Sequence, residues 1–197
     1  MAHSARRAPR RTVFLFEQGS ADFRKPRRAG YASRQMAAPI RLSVPGTLRY
    51  RPIAVRAVAE AARLVSCPSP VDRRDPDPLA LDIRHPFDLA VVSAFMEIFN
   101  NIAIHAYQRR GGGTIDIDIT LTSDDILIEV KDSGRAFDLD NVVPLPTDLD
   151  EDALPEGGMG IHIAKTMLDD MTYEPGPPNQ WRLYKRLPPA QVAVGRS

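Results

Sequence analysis

One cysteine, Cys67, is all that the 197-residue chain contains. An intramolecular disulfide framework and a cysteine-based zinc site are thereby excluded, and a reducing cytoplasm fits. Neither sign of charge is in excess: 26 Lys and Arg stand against 25 Asp and Glu, a net charge of +1. That balance by itself suggests neither nucleic acid nor an acidic lipid surface as a partner. Long apolar runs are scarce, and none approaches the roughly 18 residues expected of a membrane span. Behind the basic start the apolar run is only Val13-Phe14-Leu15-Phe16. A secretory signal needs about 7–15 apolar residues, so export is not expected. Proline is missing from Phe87 to Val143, although the chain has 18 of them, close to twice the usual share of about 5%. Because proline removes a backbone donor, that window is where unbroken helices and strand ladders can form.

The length suits one well-packed domain with tails. Residues 1–35 hold nine Lys and Arg against Glu17 and Asp22, with few apolar residues, and are expected to form a disordered basic tail. Such a tail can touch nucleic acid. A solvated tail, or residues preceding a start at Met36, explains it as well, and no direct nucleic-acid contact is expected. Residues 36–190 are expected to form the domain and 191–197 a short C-terminal tail.

Within the domain, Ile40 to Val44 alternates as a strand does. Ile53 to Val65 reads as a helix, with Val55, Val58, Ala61 and Leu64 at helical spacing. Five prolines from Pro68 to Pro86 mark a connecting loop. A long apolar helix is expected from about Phe87 to Arg109, closed by Gly111-Gly112-Gly113. Thr114 to Leu121 alternates strictly, and a second apolar run through Leu127, Ile128 and Val130 follows a short polar turn, which reads as an antiparallel hairpin. Ala136 to Glu156 has seven acids, three prolines and no Lys or Arg, a long loop. Gly157-Gly158-Met159-Gly160 opens a helix to about Asp170, and strands at 171–173 and 181–186 close the domain. This order predicts an α+β fold, a two-layer sandwich with helices on one face of a mixed, mostly antiparallel sheet.

The helix from Phe87 carries the first chemical signal. Leu89, Val92, Phe95, Met96, Ile98, Phe99, Ile102, Ala103 and Ile104 cover most of its circumference, so burial on several sides is expected. One stripe is polar: Ser93, Glu97, Asn101 and His105, at i, i+4, i+8 and i+12 on a single face. Glu97 is the sole charge from Val91 to His105. A lone carboxylate on a buried helix is costly without a partner. A bound cation or water ordered around a ligand would supply one, and so would hydrogen bonds to neighbouring loops. Asp132-Ser133-Gly134 is the second signal. A carboxylate at a strand end accepts from the amino group of a base, and glycine lets backbone approach a ring. An ordinary strand-end turn has the same composition. The third is Gly157-Gly158-Met159-Gly160 before a helix, whose first N–H groups make an anion site, although a glycine-broken loop end looks alike.

Taken in order, Glu97 to Tyr107, Val130 to Asp138 and Gly157 to Ile161 resemble the GHKL ATPases. Within that superfamily they look like the RsbW-type anti-sigma-factor serine kinases. There the first stretch is the N box, a glutamate four residues before a magnesium-binding asparagine with a trailing His-Ala/Gly-Tyr. The second is the Asp-x-Gly-x-x-Phe-Asp adenine loop, and the third is the glycine phosphate loop behind a mobile lid. The resemblance covers about residues 40–187. It implies a GHKL (Bergerat) ATP-binding fold with ATP and Mg²⁺ as cofactors. Glu97 would be the general base or water-orienting carboxylate, and Asn101 the magnesium ligand. Asp132 would bind the adenine amino group and Gly134 shape the pocket floor. His105, Gly157, Gly158, Met159 and Gly160 would complete the nucleotide contacts. One asparagine can suffice for Mg²⁺, which keeps waters and phosphate oxygens as its other ligands.

The chain departs from the family pattern in four places. Ala136 replaces a glycine common outside the kinase branch. Asn179-Gln180-Trp181 stands where a Gly-Thr pair usually precedes the last strand. The lid is strongly acidic, and the loop from Pro68 to Pro86 is long. By resemblance, the chain would be a serine/threonine protein kinase that phosphorylates a STAS-type anti-sigma-factor antagonist and holds a sigma factor; a homodimer, and no membrane, are also implied. An ATP-binding switch without phosphotransfer is the alternative. A two-component histidine kinase half would need a helix bearing a phospho-acceptor histidine, and His105 and His162 belong to the N box and the phosphate-loop helix instead.

Overall fold

The computed structural model describes residues 38–67, 83–108, 112–137 and 159–189, with the backbone of residues 14–15. Gly157, Gly158, most of the acidic segment and the C-terminal tail fall outside them. Alternation sets the middle of the sheet. In β3 (Thr114–Leu121) Ile115, Ile117 and Ile119 are buried, while Asp116 and Asp118 turn away. Strand β4 (Asp125–Asp132) pairs with it antiparallel, Ile117 opposite Val130 and Ile119 opposite Ile128. Thr122 closes this hairpin: its Oγ1 accepts from the N–H of Asp124 at 3.3 Å and of Asp125 at 3.1 Å, a side chain imitating a backbone turn.

The other strands are β1 (Phe14–Leu15), β2 (Ile40–Pro45), β5 (Asp170–Glu174) and β6 (Asn179–Arg186). They complete a six-stranded sheet in the order β1-β5-β6-β4-β3-β2. Every pairing is antiparallel among the described residues, so the sheet is not mixed as expected. Short turns join β3 to β4 and β5 to β6, and tight connections permit only antiparallel neighbours. The tail also departs from expectation at one point. Phe14–Leu15 pairs with Tyr173 and Thr172 of β5, where an apolar run of the tail meets an open sheet edge.

Among the described residues, three α-helices cover one face of the sheet. In α1 (Arg51–Ser66) Val55, Val58 and Ala61 are buried as expected, but Leu64 is 42% exposed and Ala62 and Val65 take the inner face. In α2 (Pro86–Asn101) the proline belongs to the helix, at its first turn, where a missing N–H costs nothing. His85 caps it, Nδ1 accepting from the Phe87 N–H at 3.2 Å. Leu89 points to solvent, while Asp88 is buried and accepts from the Ser66 hydroxyl at 2.9 Å. A carboxylate in the first turn of a helix is favoured by the helix dipole, and here it also ties α1 to α2. The third helix, α3 (Met159–Met167), ends before the expected Asp170.

Length and composition would let the 21-residue segment Pro86–Ala106 cross a bilayer, with a mean hydropathy of 1.5 in an 18-residue window, in contrast to the expectation drawn from unbroken apolar runs. Its apolar side chains are spent inside the protein instead. Phe95, Ile98 and Phe99 are fully buried with Ile115, Ile117, Leu183 and Trp181, each large side chain contributing about 1.5–3 kcal/mol. The outer face of the sheet carries charge in pairs. Asp118 meets Arg41 at 3.4 Å and Lys131 at 3.3 Å, and Glu129 meets Arg182 at 3.3 Å.

Candidate functional site

Along α2 and the turn that follows it, the polar stripe is the less buried side. Ser93, Glu97 and Asn101 are half-buried and His105 is exposed, whereas Val91, Val92, Ala94, Phe95, Ile98 and Phe99 are buried. Neighbouring Asn100 is held by α1, its Oδ1 accepting from Arg51 Nη1 at 2.9 Å. Asn101 is not so held: its Nδ2 is buried and has no hydrogen-bond partner. An unmet amide on a mostly buried helix costs free energy unless a ligand or water meets it.

Beyond Asn101 the helix widens. Ile102–Ala106 forms a π-turn, closed by the Tyr107 N–H to the Ile102 carbonyl at 3.1 Å, and such turns collect at functional sites. Tyr107 then wedges between two backbones. A Cβ on Gly46 or Gly113 would collide with its ring. Its hydroxyl donates to the Thr114 carbonyl at 2.7 Å and accepts from the Ser133 N–H at 3.0 Å. The Ala106 carbonyl accepts from the Arg135 N–H at 3.1 Å. The π-turn is therefore fastened to the Asp132-Ser133-Gly134 loop from both sides.

Gly134 lies flush against this turn. A Cβ there would stand 2.7 Å from Ala106 Cβ and 2.9 Å from its backbone carbon and oxygen. Backbone cannot yield as a flexible side chain can, so Gly134→Ala must displace the loop. Overpacking of this kind costs about 1–3 kcal/mol, and we expect a lowered urea midpoint with an unchanged denaturant slope. A variant as stable as the parent would mean that the loop has slack.

Asp132 ends β4 with its side chain on the inner face, in line with Val130 and Ile128. It is 3% exposed, and burial pushes its pKa above the ordinary carboxylate value. Hydrogen bonds from Asn179 and the Gly134 N–H pull the other way without cancelling it. Asn179 is the cross-strand partner of Asp132 in β6 and is itself buried. The loop beyond Gly134 is anchored by Phe137. Its N–H donates to the Tyr173 hydroxyl at 2.8 Å, and its ring packs edge-on to Tyr173 and Trp181 at centroid distances of 6.4 and 5.8 Å.

The third motif reaches the first through α3. A Cβ on Gly160 would collide with Glu97 Oε2, so the N-terminal turn of α3 lies against the single charge of the stripe. Met159 opens this helix. Two groupings result: Glu97 with Gly160, and Asp132 and Gly134 with the π-turn that continues α2 beyond Asn101. Sequence reasoning does not anticipate Tyr107 as a wedge, Phe137 as an anchor or Asn179 as the partner of Asp132. Glycines at 46 and 113 are the available signal for the first, and the substitution at 179 for the last. Among the described residues no cluster of three or more His, Cys, Asp or Glu is placed to hold a metal ion. A cation here would rest on Asn101 and on oxygens brought by a ligand, a donor set that suits Mg²⁺.

Serine-protein kinase RsbW of Staphylococcus aureus is 32% identical over 90 residues, covering 42% of this chain and 57% of that protein. RsbW of Bacillus cereus is 35% identical over 82 residues, covering 40% and 51%. The anti-sigma F factor of Clostridium botulinum is 27% identical over 84 residues, covering 43% and 59%. The chain thus spans about half the length of the curated relatives it matches. A family model described as the histidine kinase-like ATPase domain matches residues 44–184, well over half of the chain and the whole of this site. The chain belongs to the histidine kinase-like ATPase domain family.

Proposed function

We propose that the chain is an Mg-ATP-dependent serine/threonine protein kinase that acts as an anti-sigma factor. Its substrate would be a STAS-type anti-sigma-factor antagonist and its second partner a sigma factor. The carrying observation is the approach of Gly160 to the Glu97 carboxylate. It sets the only charge of the α2 stripe beside a helix N-terminus, where backbone N–H groups favour an anion. A carboxylate next to bound phosphates is unfavourable unless it has work to do there. Accepting a proton is such work.

In this reading Asp132 accepts from the adenine amino group, and Gly134 lets the ring lie close to the backbone. The phosphates lie at the start of α3. Asn101, together with phosphate oxygens, would hold Mg²⁺, which would supply charge neutralisation for the transferred group. Glu97 accepts the proton of the serine hydroxyl as the serine oxygen bonds to the γ-phosphorus and the bond from that phosphorus to the bridging oxygen breaks, giving phosphoserine and ADP. Phosphoryl transfer asks a protein chiefly for positioning and charge neutralisation, and the names of the relatives agree with it.

Incubation of the chain with γ-labelled ATP, magnesium and STAS proteins encoded near its gene tests the proposal. Label on a serine or threonine of one of them is the expected result. ATP binding without transfer to any protein would instead favour a nucleotide-gated binding module.

A further inference from the structure

Resting on that reading of the site, we propose that Asn179 is the positioning residue that leaves Asp132 one free acceptor, Oδ2, and so selects adenine over guanine. Asn179 is 1% exposed. Its Nδ2 donates to Asp132 Oδ1 at 3.0 Å and to the Gly134 carbonyl at 3.1 Å. Its Oδ1 accepts from the Gly176 N–H at 3.1 Å. Both amide hydrogens are therefore committed. A flipped amide would set oxygen against two acceptors and nitrogen against a donor, so one orientation is enforced. Held this way, Asn179 has no hydrogen left for a base.

Its effect is on Asp132. Oδ1 already receives the Gly134 N–H at 2.8 Å besides Asn179, while Oδ2 takes no hydrogen bond among the described residues. The donated bonds fix the rotation of the carboxylate and favour its ionised form against the cost of burial. The other titratable side chains whose charge bears on it are Tyr107 and Tyr173, both neutral when protonated. An ionised carboxylate held in one orientation is what discriminates. A carboxylate accepts from the adenine amino group and repels the guanine carbonyl in the same place, whereas a protonated carboxyl can donate to that carbonyl. Without Asn179 the carboxyl is free to turn and easier to protonate, and the two bases become alike to it.

Equilibrium binding of Mg-ATP and Mg-GTP to the full chain, from about pH 6 to about pH 8.5, tests this. The parent is expected to prefer ATP throughout. Asn179→Leu should lower the ATP:GTP affinity ratio roughly tenfold, the scale of one hydrogen bond to a charged group, and move the acid limb of ATP binding to higher pH. Asn179→Asp places two carboxyls in contact, which cannot both ionise cheaply. It should lose the preference at the alkaline end and regain it at the acid end, where a shared proton restores the donated bond. Lost packing would give no such recovery. If Asn179→Leu does not fold, as judged by Trp181 emission, the pH response of Asn179→Asp decides alone. An unchanged ratio in the folded variants, or an Asn179→Asp ratio equally low at every pH, overturns the inference while the nucleotide site stands. A parent that binds neither nucleotide overturns the proposed function and this inference together.

Discussion

Glu97→Gln is expected to cut phosphoryl transfer to a serine by roughly 10²–10⁴-fold, the usual contribution of general acid–base help. Binding of Mg-ATP should stay close to that of the parent. The amide has nearly the shape of the carboxylate, so the contact with Gly160 survives. What is lost is the ability to take a proton, and no second carboxylate lies on the stripe from Val91 to His105 to replace it. Asn101→Ala provides the contrast, since it should weaken the magnesium-dependent part of ATP binding as well as transfer. Single-turnover transfer at saturating Mg-ATP, with separately measured dissociation constants, resolves the two. Full transfer by Glu97→Gln would remove the base from the mechanism.

A second substitution should set binding against stability. Asp132→Asn is expected to weaken ATP binding by about 1.5–3 kcal/mol, the worth of a hydrogen bond to a charged group, and to bring the ATP and GTP affinities together. The same variant should melt higher than the parent at neutral pH. Burial raises the folded pKa of Asp132 above its ordinary 3.8, so the folded state holds the proton more tightly than the unfolded chain does. The ionised carboxylate therefore subtracts from stability above the folded pKa, and the deficit fades as pH falls toward the unfolded value. Asparagine removes that deficit while its carbonyl still accepts from Gly134 and Asn179. Melting curves across this interval should show the advantage of the variant shrinking on acidification. A variant that melts lower at neutral pH, or binds ATP as the parent does, contradicts the account.

Much of this architecture is legible in local pattern. Strict alternation in Thr114–Leu121 and the 3.6-residue spacing of the apolar positions in α1 and α2 define surfaces that only a sandwich can bury. The stripe Ser93, Glu97, Asn101 is legible because a solvent face would carry more charge. Less legible are features that depend on partners distant in sequence. Leu64 and Leu89 match the helical period yet face outward, because the neighbours that define the inner face belong to other elements. Asp88 looks like a surface acid until Ser66 is beside it. The bond between Asp132 and Asn179 joins residues 47 positions apart, and only the β4–β6 register brings them level. The pairing of β1 with β5 is likewise invisible in the sequence, since a run of four apolar residues in a basic tail carries no periodicity.

The π-turn has a consequence for how this chain tolerates change. A π-turn holds one residue more than an α-turn, and each residue of an α-helix advances the chain by about 100° around the axis (3.6 per turn). Tightening Ile102–Ala106 to a regular helix with every residue kept would swing the residues after it by about that angle. Tyr107 would leave the slot between Gly46 and Gly113, and the Asp132 loop would lose its fastening to the helix that bears Asn101. Exchanges of one apolar side chain for another in this stretch disturb packing alone. The stretch from Asn101 to Tyr107 is thus constrained by the form of its turn more than by its composition: with these five residues in place, only the wider turn brings Tyr107 to its slot.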